Sequence, residues 1–223
     1  PFNGEGLGFE DGDALSDLIG VGFGNGGIGG GKRAKLGSRV GPHRAGGPAS
    51  QRATSRGLAW LARHQDPDGH WSSHDFSAGC AGARCTGEGE IVHDVGVSGL
   101  ALLAFLGEGT TSKRGPHREV GKKGLRYLKQ IQDRETGCFG QPNSHQAFLY
   151  DHALATLAMT EGFGLSGDPL LKEPAQRGLE FINAARNPYK AWRYAYPPNG
   201  DNDLSVTGWM VMCLKSGQDF GLN

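Results

Sequence analysis

Acidic and imidazole side chains gather at three points of this chain where chemistry is available. His93 and Asp94 stand at the start of an apolar run, VGVSGLALLAFLG. His145 lies just upstream of a second run, AFLYDHALATLAM, which contains Asp151 and His152. Asp201, Asp203, Ser205 and Thr207 open a third, LSVTGWMVMCLKS. A carboxylate beside an imidazole can hold and pass a proton near neutral pH. A helix start also attracts a carboxylate through its unpaired amides and dipole. Asp94 and Asp203 therefore read first as helix caps, as do Ser98 and Ser205. Asp151 falls about three positions deeper, on an otherwise apolar helix, where capping explains it less well. Asp94, Asp151 and Asp203 are the candidate catalytic residues, and His93, His145 and His152 the candidate ligand-binding ones. Trp192, Tyr194 and Trp209 join the ligand set because aromatics cluster around the last helix pair, with Tyr189 and Tyr196 nearby. These rings can line an apolar cavity or simply pack that pair.

Other chemistries find less support. Zinc sites use CxxC pairs or fixed Cys/His spacings, and none is present. His93, His145, Asp151 and His152 would form one only if the fold brought them together, so no metal and no cofactor is assigned. Cys80 and Cys85, in CAGARC, read as ordinary thiols or one loop disulfide. Cys138 follows a turn glycine and Cys213 sits in an apolar helix. There is no G-x-S-x-G for a nucleophilic serine. GNGGIGGGK at 24–32 resembles a phosphate loop in composition, but lacks a preceding strand and a Lys-Ser/Thr end. With 23 basic and 23 acidic residues the net charge is zero, which argues against capture of nucleic acid by a basic face. No apolar run approaches the ~18 residues of a membrane span.

The elements that must position these residues are helices. Residues 1–48 hold 16 of the 39 glycines. So few large apolar side chains cannot offset the entropy of ordering, and the segment reads as a flexible linker, with a short helix available at Ala14–Ile19. Residues 49–223 form the folded part. Helices are expected over about 50–65, 95–107, 117–132, 147–161, 169–185 and 204–216. The first, third and fifth are amphipathic; the second, fourth and sixth are apolar nearly all round. Strict alternation of this kind suits two layers, with outer helices wetted on one side. No segment shows strand alternation. The fold class expected is all-α, in three helical hairpins.

The pattern also repeats. GLAWLARHQDPDGHW starts at Gly57, GLRYLKQIQDRETGCFG at Gly124 and GLEFINAARNPYKAWRY at Gly178, spacings of 67 and 54 residues. The surplus falls in the 72–89 loop, as insertions into a stack do. Each unit closes its turn on an aromatic: Trp71, Phe139 or Trp192. Gln65 can cap carbonyls at its helix end or bond the next helix's first amides, while Trp71 covers the junction. The apolar helices align with Gly99, Ala153 and Gly208 at one position, where a small residue lets inner and outer helices approach.

QDPDGHW, Gln65–Trp71, resembles the QW motif of the prenyltransferase and squalene-oxidase repeat family. VSGLALLAFLG and VTGWMVMCLKS are similar to its inner helices. The resemblance covers about residues 50–219. It implies an α/α toroid or a partial arc of one, and activities of the terpene cyclase (isomerase or lyase) type. The second QW match has one extra residue and Phe139 for Trp; the third keeps only Trp192. Class II cyclases protonate their substrate with the middle Asp of D-x-D-D-T. Aligned on Thr207, Asp203 takes the first position, but Ser205 replaces the acid. A serine hydroxyl is far too weak to protonate an alkene. The expected function is therefore binding of an apolar, isoprenoid-like or extended ligand on the inner face, without cyclase activity in this segment. Two alternatives remain: a class II cyclase using Asp151 or residues outside the segment, and a glycan-directed α/α barrel using Asp94, Asp151 and Asp203. The chain starts at Pro1 without Met and reads as a piece of a longer protein with further domains. Its compartment stays open.

Overall fold

A computed structural model describes residues 48–80, 82, 85–188 and 191–223. Residues 1–47 of the expected linker, the helix at 14–19 and Tyr189 lie outside them, and Pro48, the linker's expected last residue, opens the first helix. The described chain is all-helical: α1 (Pro48–Arg63), α2 (Asp94–Gly107), α3 (Arg118–Ile131), α4 (Phe148–Ser166), α5 (Lys172–Ala184) and α6 (Leu204–Asp219), with short 3-10 turns at Phe76–Gly79, Ile91–His93 and Pro169–Leu171. Among the described residues there is no strand, only isolated bridges from Gln132 to Phe139 and Gly140. None of the described helices is long and apolar enough to cross a membrane.

The apolar helices pack on one another in sequence order. The most extensive contact is α2 against α4, and α6 lies on α4 as well. α3 touches α2 and α4, and α5 touches α4 and α6. α4 is thus surrounded, and every residue from Asp151 to Gly162 is buried. That is why its sequence shows no amphipathic stripe. α3 buries only Gly121, Gly124, Leu125 and Leu128, spaced three to four residues apart, and turns its basic side to water. Leu102, Phe105, Leu128, Leu149, Leu157, Phe181 and Ile182 are fully enclosed, each worth ~1.5–3 kcal/mol of transfer free energy. α4 runs five residues past the expected end. It stops at Gly167, whose left-handed backbone (φ 58°) donates its N–H to Phe163 O.

The turns after α1, α3 and α5 share their bonding. Asp66 N donates to His70 O (2.9 Å), Asp133 N to Cys138 O (2.8 Å) and Asn187 N to Ala191 O (2.9 Å). The closing aromatic is tied back to the preceding helix in two of them: Trp71 Nε1 to Leu61 O and Trp192 Nε1 to Ile182 O, both 2.7 Å. Gln65 takes neither of the two roles expected above: its Nε2 donates to Gly69 O in the turn (2.9 Å) and to Val120 O within α3 (3.0 Å), not to carbonyls at its own helix end or to amides of the next helix. Gln132 repeats this with Gly137 O (3.0 Å) and Pro174 O within α5 (2.9 Å). Gly69 and Gly137 must be glycine on two counts. Their φ values are +111° and +83°, and an added Cβ would stand 2.4 Å from Lys123 O and 2.5 Å from Arg177 O.

The small-residue expectation needs correcting. Gly99 lies against the backbone of Leu154 and Ala155 on α4, a contact between two apolar helices, and Gly208 has nothing within 4 Å among the described residues. The close approach of an amphipathic helix to an apolar one is made by Gly124, against Leu102 and Trp71, and by Gly178, against Thr156 and Phe139.

Candidate functional site

Asp151, His93 and His145 come together. Asp151 projects from the first turn of α4, His93 ends the 3-10 turn that leads into α2, and His145 lies in the loop before α4. Both imidazoles address one carboxylate oxygen: His145 Nε2 at 3.1 Å and His93 Nδ1 at 3.3 Å from Asp151 Oδ2. The two rings meet edge to face with centroids 5.0 Å apart. Gly96 on α2 makes room for the carboxylate, since a Cβ there would fall 2.2 Å from Asp151 Oδ1. Side-chain exposure grades outward, from 9% at Asp151 through 14% at His145 to 38% at His93, so solvent or a ligand reaches the group from the His93 side.

The hydrogen bonding defines the protons. Ala147 N–H can only donate, and it points at His145 Nδ1 (3.3 Å). The proton of a neutral His145 is therefore on Nε2, directed at Asp151. In that tautomer the Nε2 proton is shared with Asp151, and the ligand atoms of His93, His145 and Asp151 lie within 4.8 Å of one another, close enough to share a proton or to hold a metal ion. Burial raises the Asp151 pKa above the ordinary carboxylate value, and the two histidines oppose the rise by hydrogen bonding and charge.

The other candidates take different places. Asp203 caps α6 by accepting from Val206 N (2.9 Å), and also accepts from Ser205 Oγ (2.7 Å) and Tyr194 Oη (3.1 Å). These bonds, that of Val206 first, hold its pKa down to about 2. It is a fixed anion and cannot serve as an acid. Tyr150 completes this group through contacts with Asp203 Oδ1 (3.4 Å) and Ser205 Oγ. Asp94 does not cap its helix: it accepts from Ser73 N (2.7 Å) and Ser73 Oγ (2.8 Å), holding the loop after Trp71. Asp201 is exposed and pairs with Arg193 at 3.4 Å. Asp94, Asp151 and Asp203 thus each have their own partners.

His152 is enclosed apart from the triad. Its Nδ1 accepts Phe139 N–H (3.0 Å), its Nε2 lies 3.1 Å from both Gly178 O and Thr156 Oγ1, and burial lowers its pKa to about 4. Ser98 and Thr207 hold the matching positions on α2 and α6. Ser98 Oγ accepts Trp71 N–H (2.9 Å) and Thr207 Oγ1 accepts Trp192 N–H (3.2 Å). Ser98 is therefore a turn anchor and not a cap. Trp192, 2% exposed with its N–H bonded, plugs its turn, whereas Trp209 is partly open to solvent.

Comparison with protein-family models, with curated proteins and with solved structures finds no match to this chain. The geometry is accordingly what speaks to function. Sequence reading missed Tyr150 in the Asp203 group and the Gly96 recess for Asp151. A tyrosine immediately before the acid and a glycine within α2 were the available signals.

Proposed function

We propose that the helical part of the chain is an arc of a squalene-cyclase-like α/α toroid, built from three hairpin repeats, which binds an apolar or extended small molecule on its inner face with Asp151 at the polar end. The observation that carries this reading is the continuity between the triad and an open apolar strip. His93, Val97 and Leu100 stand three to four residues apart and follow one line along α2. His93 contacts Asp151, Val97 is half-buried, and Leu100 is 48% exposed. Trp209, which aligns with Leu100, offers a partly open aromatic face on α6. A ligand with an apolar body and one polar group would fit this order.

The repeat reading is supported by the matched contacts of the Gln65 and Gln132 turns. It is also supported by what is left open. Gly124 and Gly178 pack on a preceding turn and inner helix, while Gly57 has nothing within 4 Å among the described residues; Gly208 is open where Gly99 is packed. An arc with free ends leaves such positions bare.

One observation favours an enzymatic second reading. Asp151 is a buried carboxyl with a raised pKa, flanked by two imidazoles able to resupply its proton; that is what cyclase-type protonation of an alkene would use. Incubation of the full chain with squalene, and separately with soluble oligosaccharides, tests both readings. Squalene retention without product supports the binding domain. Cyclised product abolished by Asp151→Asn supports the enzyme. Retention of oligosaccharide alone overturns both.

A further inference from the structure

A second group of side chains lies apart from the Asp151 triad, where Gly79, Cys80 and Cys85 come against the end of α1. His64 is buried at the end of that helix. Its Nδ1 is 2.7 Å from Trp60 O. A carbonyl only accepts, so Nδ1 carries the proton and Nε2 presents a lone pair, the reverse of the His145 tautomer. That lone pair faces two thiols: Cys80 Sγ at 3.4 Å and Cys85 Sγ at 3.7 Å. All three ligand atoms lie within 4.8 Å of one another, and both thiols are free.

From these positions we infer that His64, Cys80 and Cys85 form a zinc site with three protein ligands. The distances carry the inference. Ligands ~2.3 Å (sulfur) and ~2.0–2.1 Å (nitrogen) from one ion, held at the tetrahedral angle, stand about 3.6 Å apart. The two observed nitrogen–sulfur separations bracket that value. Two thiolates and an imidazole make a borderline-soft set suited to Zn2+. The site is also built and not fortuitous. The Trp60 ring stacks on His64 (centroids 3.9 Å, 20° between planes) and, with the Trp60 carbonyl, fixes its orientation. Cys85 N–H points at Cys80 Sγ (3.1 Å). Gly79 lets the loop lie on the helix end, since a Cβ there would meet Arg63 O at 2.7 Å. The fourth position of the ion falls to water or an exogenous donor, which would enter from the open cavity bounded by Asp75, Ser77, Ala78, Cys80 and Gly82. In the sequence the ligands are spaced His-x15-Cys-x4-Cys, a pattern with no paired CxxC to announce it. The ion would pin the loop to α1.

Elemental analysis of the full chain, purified under reducing conditions, tests this together with Co2+ titration. The expected result is one zinc per chain, replaceable by Co2+, with a sulfur-to-cobalt charge-transfer band in the near ultraviolet. Cys80→Ser and Cys85→Ser should each weaken Zn2+ binding by at least about 100-fold, more than loss of an outer-shell partner does. His93→Asn and His145→Asn should leave it unchanged. The wild-type measurement does not depend on whether the variants fold. Absence of a thiolate–cobalt band in the reduced wild-type protein would overturn the site. So would loss of Zn2+ binding in the His93 or His145 variants with retention in the cysteine variants. Isolation of the chain with a Cys80–Cys85 disulfide that binds no zinc after reduction would also overturn it, in favour of a redox pair.

Discussion

Gln132, at the end of α3, donates from one amide nitrogen to Gly137 O in its own turn and to Pro174 O in α5, at 3.0 and 2.9 Å. A single side chain thereby ties one turn to the next amphipathic helix. Gln132→Ala should cost about 1–3 kcal/mol, from two lost hydrogen bonds and two carbonyls left short of a donor. Gln132→Glu should cost at least as much at neutral pH, because a carboxylate would confront two carbonyl oxygens. Urea unfolding measures both; a Glu variant as stable as the parent would contradict this account of the turn.

The glycines should divide by sign. Gly137→Ala places a Cβ 2.5 Å from Arg177 O at a φ of +83°, and Gly69→Ala meets Lys123 O at 2.4 Å at +111°. Both should lose several kcal/mol or fail to fold. Gly57→Ala and Gly208→Ala, inside helices with nothing within 4 Å among the described residues, should gain about 0.5–1 kcal/mol from helix propensity alone. Thermal melts of the four variants decide this. A destabilising Gly57→Ala or Gly208→Ala would mean that these positions are covered in the intact molecule.

Stability should fall on mild acidification. His152 is enclosed, and its folded pKa is depressed from 6.5 to about 4. The unfolded chain then binds a proton that the native state refuses, so the contribution is full above pH 6.5 and lost as pH falls toward 4. Its size is on the order of 3 kcal/mol at 1.36 kcal/mol per pKa unit. His152→Gln, compared with the parent by denaturant melts across pH 4–8, should flatten that part of the curve. An unchanged slope would refute the assignment.

Asp151 should behave oppositely. Its folded pKa is raised by burial, so its favourable contribution is present at low pH and lost as pH rises through the folded value. Asp151→Asn should therefore gain stability relative to the parent with increasing pH, while losing function. Such a trade marks a carboxylate retained for a task and not for packing.

The helices were legible because each carries its environment in its periodicity. α3 shows a stripe and α4 none, and their burial follows. The aromatic turn plugs were legible from Trp71 and Trp192 for the same reason: large apolar groups beside turn residues have few places to go. Tertiary polar partners were not. Nothing local distinguishes Asp94, which holds Ser73, from Asp203, which caps α6; both stand at the start of an apolar run. His152 and His145 are equally plausible ligands in sequence, and only the chain's return past Phe139 and Gly178 encloses one and leaves the other beside Asp151. His64 was silent because its partners come from a loop insertion with no regular spacing.

The central claim is that the Asp151 triad and the Leu100 strip form one ligand site. Equilibrium binding of 2,3-oxidosqualene, whose epoxide supplies the one polar group, followed by tryptophan fluorescence in the parent, Leu100→Glu and Asp151→Asn chains, is the deciding measurement. The account predicts saturable binding in the parent, loss of at least about tenfold in affinity in Leu100→Glu, where a charge is set into the apolar strip, and a cross-effect: the pH dependence of binding, present in the parent, disappears in Asp151→Asn. Binding that is absent in the parent, or indifferent to both substitutions, would contradict it.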